Sequence, residues 1–252
     1  MSELNAGTGR PLPASRADRY ARWCGLAAGA VAARAVASLD DGLGVGILYS
    51  IPAFGLCAVV GVLVGDALTP RAHGAVRTAG LTPRRVRDYV PRRMAPLLLC
   101  QAAVLVILLA VAATVASPDD MGRAGRSLAA TCHGVTESAG PWPGLFYGLP
   151  VLVSLALSTA ACGWSLLRIA RRPGDEQARR DRSLAVTAAW GLLVSAPLLG
   201  AAATASGALT SLSCDGTTGA IATWLLYAVA LVALVTVPWC LVTIASPRAA
   251  RR

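Results

Sequence analysis

Residues Ala95 to Ala116 read APLLLCQAAVLVILLAVAATVA, a stretch of 22 residues without a charged side chain. An α-helix needs about 20 mostly apolar residues to cross the hydrocarbon core of a bilayer. The apolar residues are continuous here, whereas the strands of a membrane β-barrel alternate between apolar and polar residues. The stretch therefore predicts a transmembrane helix.

Five more segments of the chain have the same character, and polar loops separate all six. The last is as long and as rich in Leu and Val, whereas the first is short, Ala-rich and contains Arg34. A buried helix of a soluble protein can explain one such segment, but not six in succession. We therefore predict an all-α polytopic bundle of about six transmembrane spans, near residues 23–39, 46–68, 95–116, 145–168, 184–206 and 220–245.

The composition of the 252-residue chain also indicates a membrane protein. Hydrophobic residues make up 55% of it and charged residues 14%, whereas soluble domains average about 25% charged residues. This apolar content excludes a mainly disordered chain, and seven cysteines in such a length are too few for a disulfide-dense scaffold. The formal net charge is nevertheless +10, and all 23 basic residues are arginine.

The arginines predict how the chain is threaded. Alternate segments between the spans sum to 20 arginines on one side and 2 on the other, and Arg34 lies inside the first span. Because cytoplasmic loops are enriched in Lys and Arg, we expect a multi-pass plasma-membrane protein with both termini in the cytoplasm. Residues 1–19 are then a disordered cytoplasmic N-terminus, 20–246 the bundle and 247–252 a cytoplasmic tail. Cleavage of the first span as a signal peptide would leave this orientation of the others unchanged.

Two of the seven cysteines are expected in exterior loops. Cys132 and Cys214 would meet an oxidising environment there, and a disulfide between them would tie the loop after the third span to the loop after the fifth. Two separate thiols remain the alternative, because sequence does not determine pairing. The spacing of the cysteines and histidines matches no zinc motif, so we expect no metal and no cofactor.

Two charged residues lie within the predicted spans, where charge is costly and often functional. Arg34 either extends its guanidinium to the membrane interface or pairs with Asp41, or it has a functional role. Asp66 lies near the cytoplasmic end of the second span. It is either an interfacial residue beside a basic loop or part of a proton or cation relay.

Small residues and prolines recur within the spans. The patterns Gly25-x-x-x-Gly29 and Gly61-x-x-x-Gly65 permit close packing of helices, and they predict a compact bundle or a homo-oligomer without choosing between them. Prolines are tolerated in membrane helices, but the helices that they kink can also line a substrate path. Such prolines lie in spans two, four, five and six: Pro52, Pro150, Pro197 and Pro238.

The loop from Arg71 to Arg93 reads RAHGAVRTAGLTPRRVRDYVPRR and is the most distinctive polar segment. Each arginine near the surface of a membrane contributes about 1 kcal/mol of attraction to anionic lipid head groups. A docking site for a cytoplasmic partner is the alternative, whereas nucleic acid is not expected because no nucleic-acid motif is present. The residues that would carry either kind of binding are Arg77, Arg84, Arg85, Arg87, Arg92 and Arg93.

With its segment TPRRVRDYVPR at 82–92, this Ala-rich, Lys-free chain resembles uncharacterised multi-spanning membrane proteins of high-GC actinobacteria, a resemblance that implies no activity. Its layout of about six spans is also similar, in topology alone, to the membrane subunits of two-component ABC exporters, which would imply a separate ATPase as partner. No enzyme signature is visible, so we do not expect an enzyme. Two hypotheses remain: a transport-associated, permease-like subunit, or a non-transporting membrane scaffold or regulator that binds a partner through the loop 71–93.

Overall fold

The computed structural model describes residues 14–39, 45–68, 94–119, 121–132, 134–171, 176–212 and 216–247. Within them the chain forms six helices and one β-hairpin, which lies between the third and fourth helices. The helices are α1 (Ala14–Ala37), α2 (Val45–Leu68), α3 (Met94–Val115), α4 (Leu145–Arg171), α5 (Glu176–Ser211) and α6 (Gly216–Ala245), and the strands are β1 (Leu128–Cys132) and β2 (Val135–Ala139). The predicted all-α bundle is confirmed.

Five of these helices, α2 to α6, are long and apolar enough to cross a membrane. The sequence predicted six, and the difference is α1. Its apolar middle is flanked by charges, which lower its mean hydropathy. These charged residues of α1 are Arg16, Asp18, Arg19, Arg22 and Arg34.

Although α1 is less apolar, it runs antiparallel to α2 along nearly the whole of that helix. In order along α1, the residues that meet are Asp18 with Gly65, Gly25 with Gly61, Gly29 with Phe54, and Val36 with Gly46. We therefore count α1 with the bundle.

α5 is the central helix, in contact with α2, α3, α4 and α6. Its side chains from Ala185 to Leu198 include many that are fully buried, among them Ala188, Leu192 and Val194. Lipid tails are as apolar as leucine, so helices in a membrane associate through close packing. Small residues such as Ala, Gly and Ser let the neighbouring helices approach α5 from all sides.

Two helices begin earlier than the predicted spans. α1 starts at Ala14, inside the segment 1–19 that was predicted as disordered, and α5 starts at Glu176, eight residues before its predicted span. Ion pairs between residues three or four apart explain both extensions. Arg22 pairs with Asp18 in α1, and Glu176 pairs with Arg179 and Arg180 in α5.

The hairpin was not predicted from the sequence. Its antiparallel register runs from Leu128 opposite Ala139 to Cys132 opposite Val135, which leaves two residues for the turn. Gly134 in that turn has φ +83°, a conformation that glycine adopts without strain. The strands read LAATC and VTESA and contain few of the β-branched and aromatic residues that signal a strand.

The hairpin and the chain that follows it pack on one end of the bundle, which we call the hairpin end. Trp142 is buried, and its indole Nε1 donates a hydrogen bond to the carbonyl oxygen of Ala112 at 2.9 Å. Ala139 joins Trp142 in an apolar cluster that covers the end of α5 and includes Ala205, Ala208 and Leu212.

Candidate functional site

A cluster of charged side chains lies at the opposite end of the bundle. We call it the basic-end cluster, and it consists of Asp18 and Arg22 of α1, Asp66 of α2 and Arg182 of α5. Arg22 is 6% exposed, its Nε donates to Asp18 Oδ1 at 3.0 Å and its Nη2 donates to Oδ2. Arg182 Nη1 lies 3.9 Å from Asp66 Oδ1, and Asp66 is 4% exposed. These four residues line a shared cleft.

Glycine allows the acidic and basic groups of α1 to lie against α2. A Cβ atom added at Gly65 would come within 2.7 Å of Asp18 Oδ1. Buried charges are stable in proteins when they are paired, and this cluster holds two carboxylates and two guanidinium groups. The Asp18–Arg22 pair lies within α1, and the Asp66–Arg182 pair connects α2 to α5. The relay proposed for Asp66 stays a prediction.

The basic-end cluster adjoins the distinctive loop of the sequence. Asp66 lies two residues before the end of α2 at Leu68, and α3 begins again at Met94 at the same end of the bundle. The segment between them falls outside the described residues. This applies to Arg77, Arg84, Arg85, Arg87, Arg92 and Arg93, so their role in binding a lipid or a partner stays a prediction.

Arg34 is exposed in the last turn of α1, toward the hairpin end. An exposed guanidinium in this position can reach the membrane interface. Its proposed partner Asp41 lies outside the described residues, so a pairing between the two stays a prediction.

A hydrogen-bonded trio that the sequence analysis missed lies in the middle of the bundle. Gln101 Nε2 donates to Thr236 Oγ1 at 2.8 Å, and Ser195 Oγ donates to Gln101 Oε1 at 2.6 Å. All three side chains are buried, so the trio ties α3, α5 and α6 together inside the bundle. The signal was a lone amide inside the otherwise apolar stretch of α3.

The hairpin end carries a second charged cluster, formed by Asp119, Arg123 and Arg126 beside aromatic residues of α2 and α4. Asp119 Oδ1 accepts hydrogen bonds from the backbone amides of Met121 and Arg123, and its Oδ2 accepts one from Arg123 Nε at 2.7 Å. Arg126 Cζ lies 3.7 Å from the centre of the Phe146 ring. The sequence analysis had counted these arginines only as the exterior minority.

The pKa of Asp119 depends on these contacts. Burial raises the pKa, but the hydrogen bonds from Arg123 and Met121 and the charge of Arg123 outweigh it, so the pKa lies below its ordinary value. A depressed pKa means that the carboxylate stabilises the fold above its unfolded pKa of about 3.9, and that this stabilisation is lost as the pH falls through the folded value.

We therefore expect the loop between α3 and β1 to loosen in acid. Hydrogen exchange of the Met121 and Arg123 amides should accelerate, relative to amides of α3, as the pH falls below about 3.9. In Asp119→Asn the same amides should be weakly protected at every pH, because a neutral amide replaces the carboxylate. Equal pH dependence in both proteins would contradict the role assigned to Asp119.

The structure describes the side chains of five of the seven cysteines. Cys24, Cys57, Cys100, Cys162 and Cys240 are free. The side chain of Cys132 and the whole of Cys214 lie outside the described residues, so their disulfide stays a prediction. Among the residues that the structure does describe, no group of three or more His, Cys, Asp or Glu side chains could hold a metal ion.

Peptide mapping without reduction tests the disulfide. Digestion of protein from native membranes should yield one linked pair of peptides containing Cys132 and Cys214, which reduction separates. Alkylation of both thiols before any reduction would show that the bridge does not form.

Comparison of the chain with protein-family models, curated proteins and solved structures gives no match.

Proposed function

We propose that the protein is a non-transporting scaffold or regulator of the plasma membrane, which engages a cytoplasmic partner through the basic loop 71–93. The observation that carries this proposal is the filled centre of the bundle. A scaffold needs a rigid membrane anchor and an exposed binding segment, whereas a permease needs a path for its substrate.

The packing around α5 supports a rigid anchor. Ala185, Ala188 and Leu192 are fully buried, and the trio formed by Gln101, Ser195 and Thr236 holds α3 and α6 against α5. A cleft between α2, α3, α4 and α5 has about 20 Å³ of space, which accommodates about one water molecule.

The position of the basic loop supports binding in the cytoplasm. The loop joins the end of α2, beside the basic-end cluster, to the start of α3. The excess of arginine at this end favours an acidic protein surface, with anionic lipid head groups as a second source of negative charge. The same excess supports a cytoplasmic location for both termini.

A permease-like subunit is the second candidate, and it would require a separate ATPase. Prolines inside four helices favour it, because kinked helices can line a path: Pro52 in α2, Pro150 in α4, Pro197 in α5 and Pro238 in α6. The similarity to ABC exporter subunits is one of topology. The resemblance to actinobacterial membrane proteins remains part of the proposal. It does not distinguish between the scaffold and the permease-like subunit.

The native thiols of Cys162 and Cys240 test the proposal directly, because they are 4% and 0% exposed inside the bundle. A scaffold with a filled centre should leave both unmodified by a membrane-impermeant thiol reagent in energised cells and in inverted vesicles. A permease must open during turnover, so modification of either thiol from either side would contradict the scaffold.

Two variants supply the controls and test the orientation. Met121→Cys, 67% exposed in the loop between α3 and β1, should react only from outside the cell. Gln177→Cys, exposed at the start of α5, should react only in inverted vesicles. The reverse pattern would overturn the proposed orientation.

A further inference from the structure

The hairpin end contains charged hydrogen-bond donors that have no partner among the described residues. Three guanidinium nitrogens, Arg123 Nη2 and Arg126 Nε and Nη1, are buried and have no hydrogen-bond partner. A buried donor without a partner is costly, and the cost is greater for a charged group. In native proteins such groups are commonly completed by an ordered water or a bound ion.

The neighbouring acid, Asp119, accepts no hydrogen bond from these three nitrogens. Both oxygens of Asp119 are already engaged, Oδ1 by two backbone amides and Oδ2 by Arg123 Nε. Asp119 therefore pairs with Arg123. From these donors we propose that Arg123 and Arg126 form a binding site for a phosphate group at the membrane surface.

The local backbone places this site across the start of α4. Gly125 has φ +76°, and a Cβ atom there would lie 3.6 Å from the amide nitrogens of Leu145 and Phe146. The loop with both arginines thus lies against the first turn of a 27-residue helix. The amides of a first turn have no partner within the helix and carry partial positive charge. They add to the attraction for an anion, although they would not form a site without the arginines.

Stacking fixes the orientation of Arg126. Its Cζ lies over the Phe146 ring, 3.7 Å from the ring centre, and the phenol ring of Tyr147 packs edge-on to Phe146 at 5.0 Å. The Tyr147 phenol is within electrostatic reach of both Arg123 and Arg126. A planar, immobilised guanidinium presents paired N–H donors with the spacing of phosphate oxygens.

The position of the site indicates two sources for the phosphate. Tyr49 at the start of α2 and Phe146 at the start of α4 meet edge-to-face at 5.7 Å, and aromatic residues at helix ends lie at the level of the lipid head groups. The ligand is therefore the phosphate of an anionic phospholipid or a free phosphate ion. The site is separate from the basic loop and independent of the function proposed for it.

The test uses the full-length protein in nanodiscs of phosphatidylcholine that contain a small fraction of phosphatidylglycerol, and the same protein in detergent with inorganic phosphate. If the lipid supplies the phosphate, mass spectrometry of the released protein should detect retained phosphatidylglycerol. If free phosphate does, a titration should raise the Tm. In Arg126→Gln the binding should weaken by at least about tenfold, as expected from the loss of charged hydrogen bonds.

Arg34→Gln is the matched control, since Arg34 is an exposed arginine toward the same end, and it should bind like the native protein. Arg126→Lys keeps the charge but loses the planar donors, so intermediate binding would confirm recognition by the guanidinium. Native protein that retains no phosphatidylglycerol and is not stabilised by phosphate overturns the proposal without relying on any variant. If Arg34→Gln and Arg126→Gln lose binding equally, the binding reflects the general positive charge of the protein. This result would overturn the proposal as well.

Discussion

Replacing Gly61 with leucine is expected to force α1 away from α2 and to lower the free energy of unfolding by about 3 kcal/mol. A Cβ atom on Gly61 would lie 2.6 Å from Gly25 Cα and 3.0 Å from the carbonyl oxygen of Ala21. Both neighbours are backbone atoms, so they cannot rotate aside as a flexible side chain can. Overfilling a packed interior costs about 1–3 kcal/mol, and a branched side chain between two backbones belongs at the upper end.

Gly163→Leu provides the matched control for this substitution. Gly163 lies within α4 and is exposed, and a Cβ atom there would meet nothing within 4 Å. Thermal unfolding in detergent should show a clear loss of Tm for Gly61→Leu and a small change for Gly163→Leu. Equal losses would mean that glycine itself matters to these helices, rather than the contact between α1 and α2.

The glycine pair also shows how far the sequence could lead. The two small-residue patterns were visible in it, but they predicted a compact bundle or a homo-oligomer equally well. In the structure Gly25 and Gly61 face each other within one chain, so these patterns serve packing inside the bundle. A small-residue pattern shows that another helix can pack closely against the helix that carries it. Which helix does so depends on the whole fold.

Features that depend on one segment of the chain could be predicted, whereas contacts between distant segments were missed. The apolar run that forms α3 could be predicted because the bilayer requires a continuous stretch of fixed length. The contact between Arg182 and Asp66 was not predicted, because the two residues are far apart in sequence. Gln101 was missed for the same reason, since its partners lie on two later helices. The hairpin was missed because its two short strands contain few of the residues typical of strands. The glycine in its turn, Gly134, was the main indication of it in the sequence.

Removing the carboxylate of Asp18 should destabilise the protein by about 3 kcal/mol, because it leaves the charge of Arg22 buried without its partner. The two side chains are 17% and 7% exposed, and the carboxylate accepts two hydrogen bonds from the guanidinium. Thermal unfolding or denaturant titration of Asp18→Ala in detergent measures the loss. Arg180→Ala is the control, because Arg180 is 55% exposed and pairs with Glu176 at the same spacing. An exposed pair of this kind contributes about 0.5 kcal/mol.

The double variant Asp18→Ala with Arg22→Met distinguishes an orphaned charge from lost packing. If the cost of Asp18→Ala comes from the unpaired guanidinium, replacing that group with an apolar side chain of similar length should restore most of the stability. A double variant as unstable as Asp18→Ala would instead attribute the cost to the gap left beside Gly65. Restoration would also show that Asp66 and Arg182 hold α2 and α5 together without help from α1. The basic-end cluster would then consist of two ion pairs that contribute independently, rather than one coupled network.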